Sequence, residues 1–294
     1  MTQTEEGTPL KTVLADIRRR LAPKYGEREA QAMARIIFEN LKGWNAVELV
    51  IRAEEPVSDF IAGRVDEVVE RLLKDEPIQQ IFGVADFYGM KLKVTRDTLI
   101  PRPETAELVD LIVRENQRKD LRVLDAGTGS GCIAVALARN LPFPEITAID
   151  ISDGALAVAR ENARTLRCDV SFLKADMLSL PAHLPGEPFD IIVSNPPYIA
   201  EKEKGSMEAN VLEYEPATAL FVPDSDPLKF YRALIGAASA GVLAEGGKLY
   251  FEINPLFARE LAAITRQAGF AGVTLLRDTE GKERFLTAVK PTRD

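Results

Sequence analysis

The chain has 294 residues, 46% of them hydrophobic and 28% charged, enough for a sizeable core and about two domains. Its net charge of −8 counts against a protein whose main work is gripping nucleic-acid backbone, so no stable nucleic-acid binding is expected. Two cysteines, Cys132 and Cys168, are too few for a disulfide framework or a structural zinc site, and no apolar run approaches the ~18 residues of a membrane span.

The N-terminus, MTQTEEGTPLK, is polar and acidic where a signal peptide would be basic and then apolar, so a cytoplasmic setting is expected. His183, in PAHLPGEP, is the one histidine and reads as a solvated loop residue. With a single histidine, Ser/His/Asp catalysis and His-metal chemistry are poor candidates, and no metal is expected.

Along the chain, LKTVLADIRRRL, EREAQAMARIIFENL and SDFIAGRVDEVVERLL space their apolar residues as helices do, with Ser58 and Asp59 as cap candidates for the third. Trp44 is expected to pack within this cluster. Residues 1–75 therefore read as a helical domain. The texture changes at Asp75-Glu76-Pro77. DFYGMKLKVT, broken by a glycine, suggests a hairpin within a junction over 76–101. IPRPETAELVDLIV then opens a helix behind two prolines.

From 121 onward the pattern alternates. LRVLDA, EITAIDI, DVSFLKAD, FDIIVSN, GKLYFEI and RFLTAV read as strands. SGCIAVALARN, DGALAVARENARTL, PLKFYRALIGAASAGV and FARELAAITRQAG read as helices. Short apolar strands between helices predict an α/β fold, a Rossmann-like, mostly parallel sheet covered on both faces.

The chemistry-bearing residues gather at strand ends. VLDAGTGSGCIAVALA places Gly127, Gly129 and Gly131, interleaved with Thr128 and Ser130, between a strand and a helix. There a tight turn lets a ligand approach backbone amides. The spacing is G-x-G-x-G, with Cys132 where a dinucleotide fingerprint wants glycine, and no P-loop lysine follows. Cys132 itself reads as a packed helix residue. Asp150, followed by Ile151, ends the second strand, where an acid can accept both hydroxyls of a ribose. Asp125, Asp176 and Asn195 end the first, third and fourth. Four polar strand tips beside a glycine turn predict a nucleoside-binding crevice. SNPPYIA ends the fourth strand; its prolines must terminate a ladder, which leaves Asn195 and Tyr198 unexplained by turn-making.

In order and spacing these residues resemble the class I S-adenosylmethionine-dependent methyltransferases. The resemblance implies that Gly127 to Gly131 lie along the methionine part of the cofactor, that Asp150 holds the ribose, and that Asp176 and Met177 border the adenine. Asn195-Pro196-Pro197-Tyr198 is similar to the motif of those members that methylate planar nitrogen. By that likeness the Asn195 side-chain carbonyl and the Pro196 backbone carbonyl accept the two hydrogens of the substrate nitrogen. Tyr198 packs on the planar group, and Pro197 keeps the backbone rigid. The motif also occurs in adenine-N6 DNA methyltransferases, and a nucleoside-binding regulatory module without catalysis stays open.

Longer segments narrow the choice. PIQQIFG, DFYGMKLKVTRDTLIPRPET, YEPATAL and GKERFLTAV resemble the HemK/PrmC family, glutamine-N5 methyltransferases of peptide chain release factors, over nearly the whole chain. The family implies S-adenosylmethionine as cofactor and S-adenosylhomocysteine as product. Its substrate is the glutamine of the Gly-Gly-Gln motif in class 1 release factors, and the modification bears on translation termination. It further implies a substrate-recognition role for 1–75, a catalytic domain over 102–294, and Phe87, Tyr88 and Arg102 as pocket-lining candidates; a monomer is expected. Two departures stand out. Ala106 follows Thr105 where PRPETE is common, and Met177 replaces a frequent aromatic.

Overall fold

The computed structural model describes residues 7–180, 186–207 and 209–292, so His183 lies outside the described residues. The chain divides into two compact units, Met1–Phe82 and Gly83–Asp294. The stretch expected as a junction, 76–101, is thus shared between them.

The first unit is built from helices Leu10–Tyr25, Glu27–Lys42, Ala46–Ile51, Asp59–Leu73 and Ile78–Phe82. Each longer helix turns one apolar stripe inward, as in Ile17 with Leu21, Ala34 with Ile37 and Phe38, and Val65 with Val68, Val69 and Leu72. Burying a side chain of that size contributes about 1.5–3 kcal/mol, which is what holds so short a bundle together. Helix ends are marked in the sequence. Gly43 takes the left-handed conformation after Lys42. Asn45 and Glu48 then form a reciprocal capping box. The Ser58 hydroxyl accepts from Ile61 N–H at the start of the fourth helix. Trp44 stacks on Phe38 with ring centroids 6.0 Å apart.

The second unit opens with a hairpin, Val84–Phe87 against Met90–Lys93. Its turn residues Tyr88 and Gly89 both have positive φ (46° and 72°), the requirement of a tight two-residue connection. A seven-stranded sheet follows, in the order Ala271–Arg277, Glu283–Val289, Leu243–Glu252, Phe189–Ser194, Arg122–Ala126, Glu145–Asp150, Ser171–Lys174. Pairings are parallel from Leu243–Glu252 through to Ser171–Lys174, and Glu283–Val289 runs antiparallel to both its neighbours. Ala271–Arg277 is a strand absent from the sequence reading. It lies at the sheet edge, its residues are exposed or half-buried, and its alternation is too weak to register.

Side-chain alternation feeds two cores. Val123, Ile191 and Val193 face one side, packed with Leu108, Ile112 and Ile133. Leu124, Ile192 and Leu249 face the other, with Tyr231, Leu234 and Leu261. Coverage on both faces explains why the strands read as continuous apolar runs. The order reverses beside Arg122–Ala126, which has the second strand on one flank and the fourth on the other. The crevice outside the carboxyl ends of such strands is where open α/β sheets hold ligands.

Candidate active site

A cavity of about 340 Å³ opens at that reversal point. Gly127, Thr128, Gly129 and Ser130 form its floor, Asp150 and Ile151 one side, Asp176 and Met177 the next, and Asn195 and Pro197 the far end. Arg102 lines it as well, as the residue before helix Pro103–Glu115.

The glycines earn their place by geometry at one point above all. Gly127 has φ +76°, and a Cβ there would meet Met177 Cε at 2.6 Å, so the methionine lies directly over the turn. Asp150 is held open-handed: Oδ2 accepts from Gly129 N–H and Oδ1 from Ser152 N–H, each at 2.9 Å. Both oxygens keep a further lone pair for donors arriving from the cavity. Asp176 caps the short turn that carries Met177, accepting from Leu178 N–H at 2.9 Å. Ser130 Oγ is buried without a hydrogen-bond partner, a vacant polar contact in the cavity floor.

Asn195 is fixed from behind. Its Nδ2 donates to Thr105 Oγ1 at 3.1 Å, and Thr105 Oγ1 donates to Glu252 Oε2 at 2.7 Å. Tyr198 OH donates to the other carboxylate oxygen, Glu252 Oε1, at 3.1 Å. One buried carboxylate, 1% exposed, thus anchors both polar members of Asn195-Pro196-Pro197-Tyr198. The Asn195 amide nitrogen is committed to Thr105, and its carbonyl oxygen is the group left to accept a donor. Burial raises the Glu252 carboxyl above its ordinary pKa, against the opposing pull of hydrogen bonds from Thr105 and Tyr198. Burial, seconded by the Glu252 charge, raises the Tyr198 phenol well above its own.

Some expected residues lie elsewhere. Phe87 is 4% exposed and packs in the core beneath the hairpin, because the two-residue period of Val84–Phe87 turns Ala85 and Phe87 inward. Neither Gly131, Pro196 nor Tyr198 lines the cavity. Gly131 faces Ala159 of the Asp153–Leu166 helix, where a Cβ would come within 3.0 Å. Pro196 is buried, and the Tyr198 ring rests partly on the core. Tyr88 donates to Asp110 at 3.3 Å. Asp125, grouped by sequence with the strand-tip acids, turns away from the cavity and accepts from Thr128 Oγ1 at 2.6 Å. Burial pushes its carboxyl up to about 7. Cys132 is in the cavity wall rather than simply packed, and burial pushes its thiol up to about 12.

Other residues were not foreseen. Thr105 and Glu252 carried no local signal beyond an acid at the end of an apolar strand. Glu215, whose side chain is 1% exposed, pairs with Arg102 at 2.5 Å and accepts from Ile100 N–H at 2.9 Å. It ties the segment before the Pro103–Glu115 helix to the excursion between Tyr198 and Phe221, which supplies Pro216, Thr218 and Ala219 to the same wall. Among the described residues no group of three or more His, Cys, Asp or Glu is arranged to hold a metal. No helix among the described residues is long and apolar enough to cross a membrane.

Residues 12–83 match the family model for the PrmC N-terminal domain, and residues 117–232 match one for a methyltransferase domain. The release factor glutamine methyltransferase of Bacteroides thetaiotaomicron is 45% identical over 276 residues, 94% of this chain and 98% of that protein. The chain belongs to the release factor glutamine methyltransferase family. The Flavobacterium psychrophilum protein of the same description is 41% identical over 270 residues, 90% of this chain and 94% of its own. A methyltransferase crystal structure from Pyrococcus furiosus aligns with TM-score 0.53 and 18% identity, covering 76% of this chain and 98% of that one. That likeness speaks for the fold alone. The cavity floored by the G-x-G-x-G turn draws most of its lining from the stretch that the methyltransferase-domain model matches.

Proposed function

We propose that this chain transfers a methyl group from S-adenosylmethionine to the side-chain nitrogen of the glutamine in the Gly-Gly-Gln motif of class 1 peptide chain release factors. The observation that carries the reading is the Asn195 amide, held by Thr105 and Glu252 at the end of a cavity floored by glycines. The lining suits the cofactor: Asp150 for ribose hydroxyls, Met177 as a soft apolar surface for adenine, and unpartnered Ser130 Oγ for a polar group of the methionine part.

When bound, the cofactor supplies an electrophilic methyl on a sulfonium sulfur. The chain's own task is to improve a poor nucleophile, since the amide lone pair is delocalised into its carbonyl. The Asn195 Oδ1, at the end of the cavity, accepts an N–H hydrogen and turns the lone pair out of the amide plane. It also counters the positive charge that develops on nitrogen as the new C–N bond forms and the C–S bond breaks. Alkylation leaves the nitrogen positively charged with both its hydrogens, which makes them acidic, so one proton passes to water without a strong base. The helical unit, residues 1–82, serves recognition of the release factor.

Incubation with methyl-labelled cofactor and either a class 1 release factor or adenine-containing DNA tests the reading. Label is expected on the factor's Gly-Gly-Gln glutamine. Label on DNA and none on the factor refutes it in favour of a nucleic-acid amino-group methyltransferase, and cofactor binding with transfer to neither favours a regulatory module. Asn195→Ala is expected to retain cofactor binding and lower turnover by roughly 10²–10³.

A further inference from the structure

The helical unit carries a groove of about 450 Å³ where the faces of three helices converge. Leu14 and Arg18, one turn apart, come from Leu10–Tyr25. Arg28 and Arg35, two turns apart, come from Glu27–Lys42. Leu49 and Val50 come from Ala46–Ile51. No acidic side chain lines it.

Ion pairing sets this groove apart from the rest of the unit. Arg19, Arg20, Arg52, Arg64 and Arg71 each pair with a carboxylate. Arg18, Arg28 and Arg35 have no such partner among the described residues, and all three lie in the groove. In a chain of net charge −8, surplus carboxylates were at hand to neutralise them. Beside them the apolar lip is exposed: Val50 is 76% exposed, Ile51 76% and Val47 65%. Unpaired guanidiniums next to an open apolar strip match a ligand that brings carboxylates and an apolar side chain together. Arginine suits this better than lysine because its planar fork takes a carboxylate through two hydrogen bonds. A nucleic acid would use the cations but not the strip, and would meet the acidic remainder of the surface.

We infer that this groove docks an acidic peptide segment with an apolar anchor residue, borne by the protein substrate. The substrate assignment rests on the proposed function, while the ligand chemistry stands on the groove alone. Two measurements separate them. In the first, a short labelled peptide of alternating glutamate and leucine is titrated into the full chain and followed by fluorescence anisotropy, with polyuridine RNA as comparator. The peptide is expected to bind, more weakly as salt rises. Arg18→Glu/Arg28→Glu/Arg35→Glu is expected to lower its affinity about tenfold or more. Arg64→Glu, which alters only an exposed pair with Glu67 outside the groove, is expected to bind the peptide like the parent chain. In the second, the triple variant is expected to raise KM for intact release factor about tenfold and hold kcat within about twofold. Melting curves verify that each variant is folded.

Equal peptide affinity in the folded triple variant, or RNA bound more tightly than the peptide, overturns the docking chemistry. Peptide binding lost with an unchanged KM overturns the assignment to the substrate. A parent chain that methylates no release factor removes the proposed activity, and the peptide titration still decides the groove.

Discussion

Replacing Thr105 with valine asks whether Asn195 acts through an oriented amide or merely through its presence. The two side chains are nearly isosteric, so the first turn of Pro103–Glu115 keeps its shape. What is lost is the acceptor for Asn195 Nδ2 at 3.1 Å and the donor to Glu252 Oε2 at 2.7 Å. A neutral hydrogen bond contributes about 0.5–1.5 kcal/mol net, and about 1.36 kcal/mol corresponds to tenfold in rate. Once freed, the amide spends part of its time turned over, with NH₂ where the carbonyl should be, and kcat is expected to fall about 3–10-fold. Leaving Glu252 Oε2 buried without a partner costs about 1–3 kcal/mol of stability, a drop of several degrees in melting temperature. Single-turnover transfer with labelled cofactor reads the first effect and thermal melting the second. The decisive comparison is the double variant. If Thr105 works through Asn195, then Thr105→Val adds nothing to the rate loss of Asn195→Ala. Equal losses in both backgrounds would refute the positioning role.

Asp150→Ala removes the acceptor of two backbone amides and the proposed ribose contact. Cofactor affinity by calorimetry is expected to weaken about 10–100-fold, at about 1.5–3 kcal/mol per charge-assisted bond, and a normal dissociation constant would place the ribose elsewhere. Gly127→Val forces a branched side chain into φ +76° and onto Met177 Cε. A stability loss of at least about 1–2 kcal/mol by denaturant titration is expected, together with weaker cofactor binding, and an unchanged midpoint would count against the close approach. The Asp125 carboxyl, raised by burial to about 7 from an ordinary 3.8, keeps a proton in the native state that the unfolded chain has already released. Stability therefore falls as pH rises between about 4 and about 7 and levels off above. Asp125→Asn should flatten that slope in denaturation measured across the window, and an undiminished slope would exclude Asp125 as its source.

The three longer helices of residues 1–82 were legible because each repeats a local period, whereas Ala46–Ile51 and Ile78–Phe82 are too short to show one and were not read. The crevice was legible for a similar reason. Glycines and acids directly after apolar runs are short-range signals, and Gly127, Asp150, Asp176 and Asn195 all meet at one cavity. Phe87 was misplaced because it was taken as a pocket candidate from the resemblance of DFYG to the family, whereas strand alternation alone would have turned it inward. The support behind Asn195 could not be read in this way. Thr105 and Glu252 stand 147 positions apart, and neither shows locally that the other will be its partner. Glu215 was visible only as a letter in YEPATAL, and its bond to Arg102 belongs to the assembled fold.

That bond closes a far longer loop than the one on the near side of the cavity. Glu215 reaches back 113 positions to Arg102, whereas the glycine turn and Asp150 are joined across 21. Contacts between distant segments must first overcome the entropy of closing a long loop. The nearer half of the site can therefore form while the chain beyond residue 214 is still unplaced. The far wall closes the longer loop and lines the same cavity as Asp150, so a ligand that touches both walls needs both in place. A ligand that recognises only that state lends its binding energy to the last step of folding, and its retention during purification would report that the wall has closed.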